Sequence, residues 1–183
     1  DHWFIFNATK SGAYLEDASV NVTFTLRAHY TTASVSGDLI TPSGWKTPVT
    51  VTVIDTDTGA TIAISDVSSL SFSWSGGSYT ESPATSFSVT LPTNTWPLGT
   101  RTVTLSVTMA SSNYLAPDNY LFDILIRQHN TTASVTGDLV TPYGFNTTVT
   151  VVVFDADNGT TLAATDISSL TFTSTYSTQV FSI

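Results

Sequence analysis

The chain has 183 residues, a net charge of −9 and only 10% charged side chains, with no cysteine. That composition excludes a disulfide framework and thiolate chemistry. The five basic residues, Lys10, Arg27, Lys46, Arg101 and Arg127, stand singly, so no clustered basic footprint exists for nucleic acid to bind. No stretch approaches the roughly 18 consecutive apolar residues of a membrane span.

Thr, Ser, Val and aromatic residues dominate while Glu, Lys and Arg are scarce. Branched and aromatic side chains suit a half-buried pleated surface, and few strong helix formers remain, so the expected fold class is all-β. The chain opens without Met and without a charged leader followed by an apolar run, which leads us to expect a processed chain or a piece of a longer one.

In chain order, the first readable strand alternates Val20, Val22, Phe24 and Leu26 inward and turns Asn21 outward. From residue 31 the chain repeats itself. Residues 31–77 begin TTASVSGDLITPSGW, residues 131–177 begin TTASVTGDLVTPYGF, and about 26 of these 47 positions are identical with no gap. Tyr14-Leu15, Arg27 and His29 lie over Tyr114-Leu115, Arg127 and His129 at the same offset of one hundred. Residues 1–30 therefore read as the last part of a module, 31–130 as a complete module, and 131–183 as the first part of the next.

Within the complete module, Ala33–Ile40 reads as one strand ending at Thr41-Pro42-Ser43-Gly44. Pro48–Asp55 alternates Val49, Val51 and Val53 with threonines and ends at Asp57-Thr58-Gly59. A short strand is expected near Ile62–Ile64, then one placing Leu70, Phe72 and Trp74 on one face. Ser86–Leu91, Thr102–Met109 and a last strand lined by Tyr120, Phe122, Ile124 and Ile126 complete about seven strands. Turns every 8–12 residues give the pattern of a β-sandwich with Greek-key connections.

The runs SGDLITPSGW, VTVIDTDTG, SSLSFSW and GTRTVTLSVT resemble the immunoglobulin-like tandem repeats of large archaeal and bacterial cell-surface proteins. The resemblance spans essentially the whole chain in permuted register. It implies secretion, a stalk, surface-layer or filament role, and adhesion or assembly. It departs from antibody-type domains in having no inter-sheet cysteine pair, and its motifs are strand and turn chemistry that say nearly nothing about activity.

Three groups of residues are candidates for function. Asn7, Asn21, Asn130, Asn146 and Asn158 stand in Asn-X-Thr sequons and are glycosylation acceptors in a secreted chain, although sequons arise freely where Thr is so common. Asp55, Asp57 and Asp66, with Asp155, Asp157 and Asp166 one module on, place oxygen ligands at a spacing like that of a Ca²⁺ loop. Against calcium stand the missing glycine and glutamate of that loop and the ability of Asp to bond its own turn. Leu121 and Leu125 point outward where the first partial module has Asn21 and Thr25, which suggests an assembly interface.

His29 and His129 sit at module junctions, where a backbone carbonyl is the ordinary partner. Trp74 is read as a core or edge aromatic, since its counterpart is Ser174. No serine has a nucleophile-elbow context and the acidic residues recur with the repeat, so no enzyme is expected. No cofactor is required on this reading, and Ca²⁺ is the one ion the spacing suits. The expectation is a structural extracellular repeat protein forming a filament, sheath, stalk or surface layer by module–module packing. Its partners are copies of itself or adjacent modules of the same longer chain. The alternatives are an adhesin-type module recognising glycan or protein through its loops, and an appendage to an enzyme outside this sequence.

Overall fold

The computed structural model describes residues 2–9, 11, 12, 18–173 and 178–182. Tyr14, Leu15 and Ser174, used above in aligning the modules, lie outside the described residues. Strands and three single 3-10 turns are the regular elements among them, so the chain is all-β. The strands are β1 His2–Ala8, β2 Ala18–Phe24, β3 Thr31–Gly37, β4 Ile40–Pro42, β5 Thr47–Asp55, β6 Val67–Trp74, β7 Gly77–Glu81 and β8 Ser88–Leu91. They continue with β9 Gly99–Met109, β10 Tyr120–Arg127, β11 Thr131–Gly137, β12 Val149–Asp155, β13 Thr160–Thr161, β14 Ser169–Thr173 and β15 Thr178–Ser182. No helix is long and apolar enough to cross a membrane.

The chain divides into two compact bodies. The first comprises Asp1–Leu39, Thr47–Pro92 and Arg101–Ile124; the second comprises Ile40–Lys46, Thr93–Thr100 and Leu125–Ile183.

In the first body, β3, β5 and β8 form an antiparallel sheet, with Val35 opposite Val51 and Val49 opposite Val89. A second sheet runs β10-β9-β6-β7, with Phe72 opposite Leu105 across β6 and β9. Period-2 alternation gives each sheet one apolar face. Val49, Val51 and Val53 of β5, Val89 and Leu91 of β8, Leu70 and Phe72 of β6, Val103 and Leu105 of β9 and Ile124 of β10 are all buried. The Phe72 and Phe122 rings meet edge-on at 6.4 Å, a favoured aromatic geometry. Two sheets burying one face each is the arrangement of a β-sandwich. Each of these side chains contributes roughly 1.5–3 kcal/mol by leaving water, which replaces the disulfide the sequence lacks. The β1–β2 hairpin is a separate two-stranded sheet.

In the second body, β4 pairs in parallel with the end of β10, Ile40 opposite Leu125 and Pro42 opposite Arg127. Ile126 and Trp96 are buried here, and the Thr93 hydroxyl donates to the Trp45 carbonyl at 2.8 Å. The strands β11-β12-β13 form one antiparallel sheet and β14-β15 another. Their residues are far less covered than their counterparts one hundred positions earlier: Val151 and Val153 are half-buried, where Val51 and Val53 are at most 1% exposed.

Two strand expectations need correction. Ala33–Ile40 is not one strand, because β3 ends at Gly37 and β4 begins at Ile40 in a different sheet. The reason is Gly37, whose φ of +136° lies in a region that L side chains avoid. A Cβ there would stand 2.8 Å from the Pro48 carbonyl oxygen, so only glycine permits this close approach. Gly137, at φ +135°, makes the same approach to Thr148. Nor is Ile62–Ile64 a strand. A single bridge joins Ile54 to Thr61, and the chain then makes a 3-10 turn over Ile64–Asp66.

Candidate functional site: a repeated arginine–histidine–aspartate clip

The acidic turns are held by their own backbone and by the segments that carry Arg27 and Arg127. In the first copy, an Asp55 carboxylate oxygen accepts the N–H groups of Asp57 (2.9 Å) and Thr58 (3.4 Å), and the other accepts the Thr58 hydroxyl at 2.7 Å. This is an Asx-type turn, closed by Gly59 at φ +75° donating to the Asp55 carbonyl. Asp57 points instead at the junction. Both its oxygens accept the Arg27 guanidinium at 2.7 Å, a bidentate pair, and it also takes the Tyr30 N–H at 3.0 Å. Arg27 lies over the Tyr30 ring at 4.2 Å, a cation–π geometry.

The second copy repeats the arrangement. Arg127 is bidentate to Asp157 at 2.7 Å, and Asp157 accepts the Asn130 N–H at 2.7 Å. Asp155 accepts the N–H groups of Asp157 and Asn158. The Thr56 N–H donates to the Tyr30 carbonyl at 2.9 Å and the Ala156 N–H to the Asn130 carbonyl at 2.8 Å. A segment carrying Arg-X-His, irregular in the first copy and starting at the end of β10 in the second, is thus clipped to a turn carrying Asp-X-Asp, twice, one hundred residues apart. The Arg27 guanidinium holds the Asp57 carboxyl well below the usual carboxylate range, and Arg127 does the same for Asp157. Both therefore stay ionised through any neutral or mildly acidic medium.

The histidines complete each clip differently. His29 Nδ1 lies 2.9 Å from an Asp55 oxygen, yet finds no aligned hydrogen bond. The His29 backbone is fixed instead, by its N–H donating to the Asn113 carbonyl and its carbonyl accepting from Leu115. His129 Nε2 donates to the Ser43 carbonyl at 2.7 Å, while Nδ1 sits 2.7 Å from an Asp155 oxygen. With an acceptor at each ring nitrogen the imidazolium is favoured, and the Ser43 carbonyl, then Asp155, push the His129 pKa upward against the opposing cost of burial.

Other predicted residues fall elsewhere. Asp66 and Asp166 do not join these groups: among the described residues, the sets with metal-ligand spacing are His29, Asp55 and Asp57, and His129, Asp155 and Asp157. In each set, Arg27 or Arg127 already supplies a cation to the acidic pair. Ca²⁺ takes about 6–8 oxygens and would have to displace that arginine. The sequon residues Asn7, Asn21, Asn130, Asn146 and Asn158 are all exposed, but Asn158 is engaged. Its Nδ2, the atom that carries a glycan, donates to Asp155 at 2.7 Å, in the place the Thr58 hydroxyl takes in the first copy. Leu121 is 64% and Leu125 37% exposed. Trp74 is half-buried against Gly77.

Reading the acidic turns and the junction residues separately missed the clip. The signal was present in the sequence: Arg-X-His and Asp-X-Asp both recur at the module period. Scans against protein-family models, characterised proteins and solved structures find no match for this chain.

Proposed function

We propose that this chain is a structural, non-enzymatic, extracellular repeat protein whose immunoglobulin-like modules of about one hundred residues assemble into a filament, sheath, stalk or surface layer. The observation that carries the reading is the repeated clip. Arg27 on Asp57 and Arg127 on Asp157, both bidentate at 2.7 Å, tie each acidic turn to the segment that leads into its repeat. A bidentate ion pair recurring at the same place in each repeat suits a spacer or wall, and the acidic residues in it are engaged in holding the chain rather than poised for chemistry. The immunoglobulin-like assignment is supported by the two sheets of the first body, each with one buried apolar face. The partners on this reading are copies of the chain or adjacent modules, with Leu121 and Leu125 as a contact between them. Exposed sequons at Asn7, Asn21, Asn130 and Asn146 support a place outside the cell. No cofactor is needed, and any Ca²⁺ at the acidic turns would compete with arginine.

An adhesin is the second reading. It is favoured by one observation: Leu139, Val140, Tyr143 and Phe145 crowd one loop with their side chains 71–104% exposed, an apolar surface of the kind that binds partners. Negative-stain microscopy of native material separates the two. A regular fibre or lattice supports the scaffold; discrete particles that bind glycan or protein through that loop overturn it.

A further inference from the structure

The second clip differs from the first within its turn, and the difference carries chemistry. Where the first copy has Thr58 before Gly59, the second has Asn158 before Gly159. Of the eight asparagines in the chain, Asn158 alone is followed by glycine. The side-chain carbonyl carbon of an asparagine can be attacked by the nitrogen of the next peptide group, and glycine, having no side chain, leaves that nitrogen unshielded. The Gly159 nitrogen gives up its proton to hydroxide and bonds to the Asn158 Cγ. The Nδ2 group then leaves as ammonia, taking a proton from water. Water opens the resulting five-membered succinimide at either carbonyl. One opening leaves an aspartate at position 158; the other leaves an isoaspartyl link, in which the backbone runs through Cγ.

In the folded chain both reacting groups are held in other bonds. The Gly159 N–H, which must become the nucleophile, donates to the Asp155 carbonyl at 2.9 Å. Asn158 Nδ2, the leaving group, donates to one Asp155 carboxylate oxygen at 2.7 Å and lies 3.4 Å from His129 Nδ1. The Asn158 N–H donates to the other Asp155 oxygen at 3.2 Å. Asp155 is buried, and its turn is fastened by the Arg127–Asp157 pair and by the Ala156 N–H on the Asn130 carbonyl. Attack needs the Gly159 nitrogen free and the Asn158 amide swung toward it, so these bonds have to break first.

We infer that Asn158–Gly159 is a deamidation site guarded by the clip, and that its reaction makes opening of the second clip irreversible. The product sets a carboxylate where Nδ2 donated, 2.7 Å from an Asp155 oxygen, and like charges at that separation repel. The isoaspartyl form also adds one atom to the backbone of the turn, which displaces the Gly159 N–H from the Asp155 carbonyl. Either product destroys the Asn-X-Thr sequon. The first clip cannot follow this course, because the Thr58 hydroxyl that takes the same place on Asp55 has no amide carbon to attack. Of two clips of one design, one is inert and the other keeps a covalent record of having opened. The site is independent of the structural function proposed above.

The test follows isoaspartate and the amide-to-acid mass change at position 158 in the unglycosylated 183-residue chain, held in mildly alkaline buffer well below its melting temperature. Opening precedes the chemistry, so the rate scales with the open fraction. Loss of a partly exposed, charge-assisted pair raises that fraction about tenfold. Arg127→Gln therefore reacts about tenfold faster than the parent, and the urea-unfolded chain reacts faster still. Arg27→Gln, which opens the first clip, keeps the parent rate, and Asn158→Thr forms no isoaspartate. Deamidated material separated from the parent melts at a lower temperature. Should Arg127→Gln fail to fold, Asp157→Asn releases the same guanidinium with little change of shape and gives the same reading. A parent that reacts as fast as the unfolded chain overturns the guard. So does equal acceleration by Arg27→Gln, which traces the effect to general stability. Deamidated material that melts like the parent overturns the irreversible opening.

Discussion

Replacing Leu121 and Leu125 with Asn is the sharpest probe of assembly, because the substitution costs the single chain little. Both residues project from β10 away from Phe122, Ile124 and Ile126, which are buried. Complete burial of a leucine contributes roughly 1.5–3 kcal/mol. Leu121 has 64% of its surface left to bury and Leu125 37%, so a covering partner gains about 1–2 kcal/mol from the first and about 0.6–1 kcal/mol from the second. The pair is thus worth about 1.6–3 kcal/mol per contact, or roughly 10–150-fold in association. Within one chain the same substitutions stay within about 0.5 kcal/mol, as surface changes do. Sedimentation velocity reads the association and differential scanning calorimetry the folding. Weaker assembly with an unchanged melting temperature is expected. Unchanged assembly refutes the face as an interface, and a melting temperature lowered by many degrees refutes the premise that the pair is free of the fold.

Gly37→Ala should cost about 2–4 kcal/mol, combining a positive-φ penalty with a clash against the Pro48 carbonyl. Gly44→Ala, at φ +82° in open space, should cost about 1 kcal/mol; equal losses in denaturant titrations would remove the close-approach explanation. The clips have a pH window. Asp57 and Asp157, held below their ordinary value, contribute stability that is present above about pH 4 and is lost only as pH falls through their lowered pKa. His129, raised above its ordinary value, contributes fully below about pH 6.5 and loses that contribution as pH rises through its raised pKa. Thermal melts of His129→Gln against the parent should therefore differ most in mild acid and converge in alkali; a gap that grows with pH contradicts the imidazolium. Glycopeptide mass spectrometry of native material should find Asn21 modified and Asn158 bare, since Asn158 Nδ2 is bound to Asp155; a glycan on Asn158 would show that the clip forms without that bond. Chelation should leave the melting temperature unmoved, because arginine already supplies the cation at each acidic pair; a fall of several degrees would assign those turns to calcium.

Much of the β architecture is local and was therefore legible. Alternation along Val49, Val51 and Val53 and along Val103, Leu105 and Val107 marks strands because pleating sends every second side chain to one face. The internal repeat fixes the one-hundred-residue period with no structure at all. Sequence also placed Asn21 opposite the Val20, Val22 and Phe24 face, as the hairpin does, but it carried that face on to Leu26, which lies beyond the end of β2 and is 76% exposed. What it left undecided are the relations between segments far apart in the chain. The break of the first strand at Gly37 depends on how near the Pro48 carbonyl comes, which no pattern within residues 33–40 encodes. The partner of Asp57 is thirty residues earlier, and an isolated Asp-X-Asp turn looks the same whether it meets calcium, water or an arginine. Apolar alternation in β1, β2 and β12 announces a buried face equally in a closed sandwich and in an open one, because alternation records what a strand must cover and only tertiary structure shows whether it has been covered.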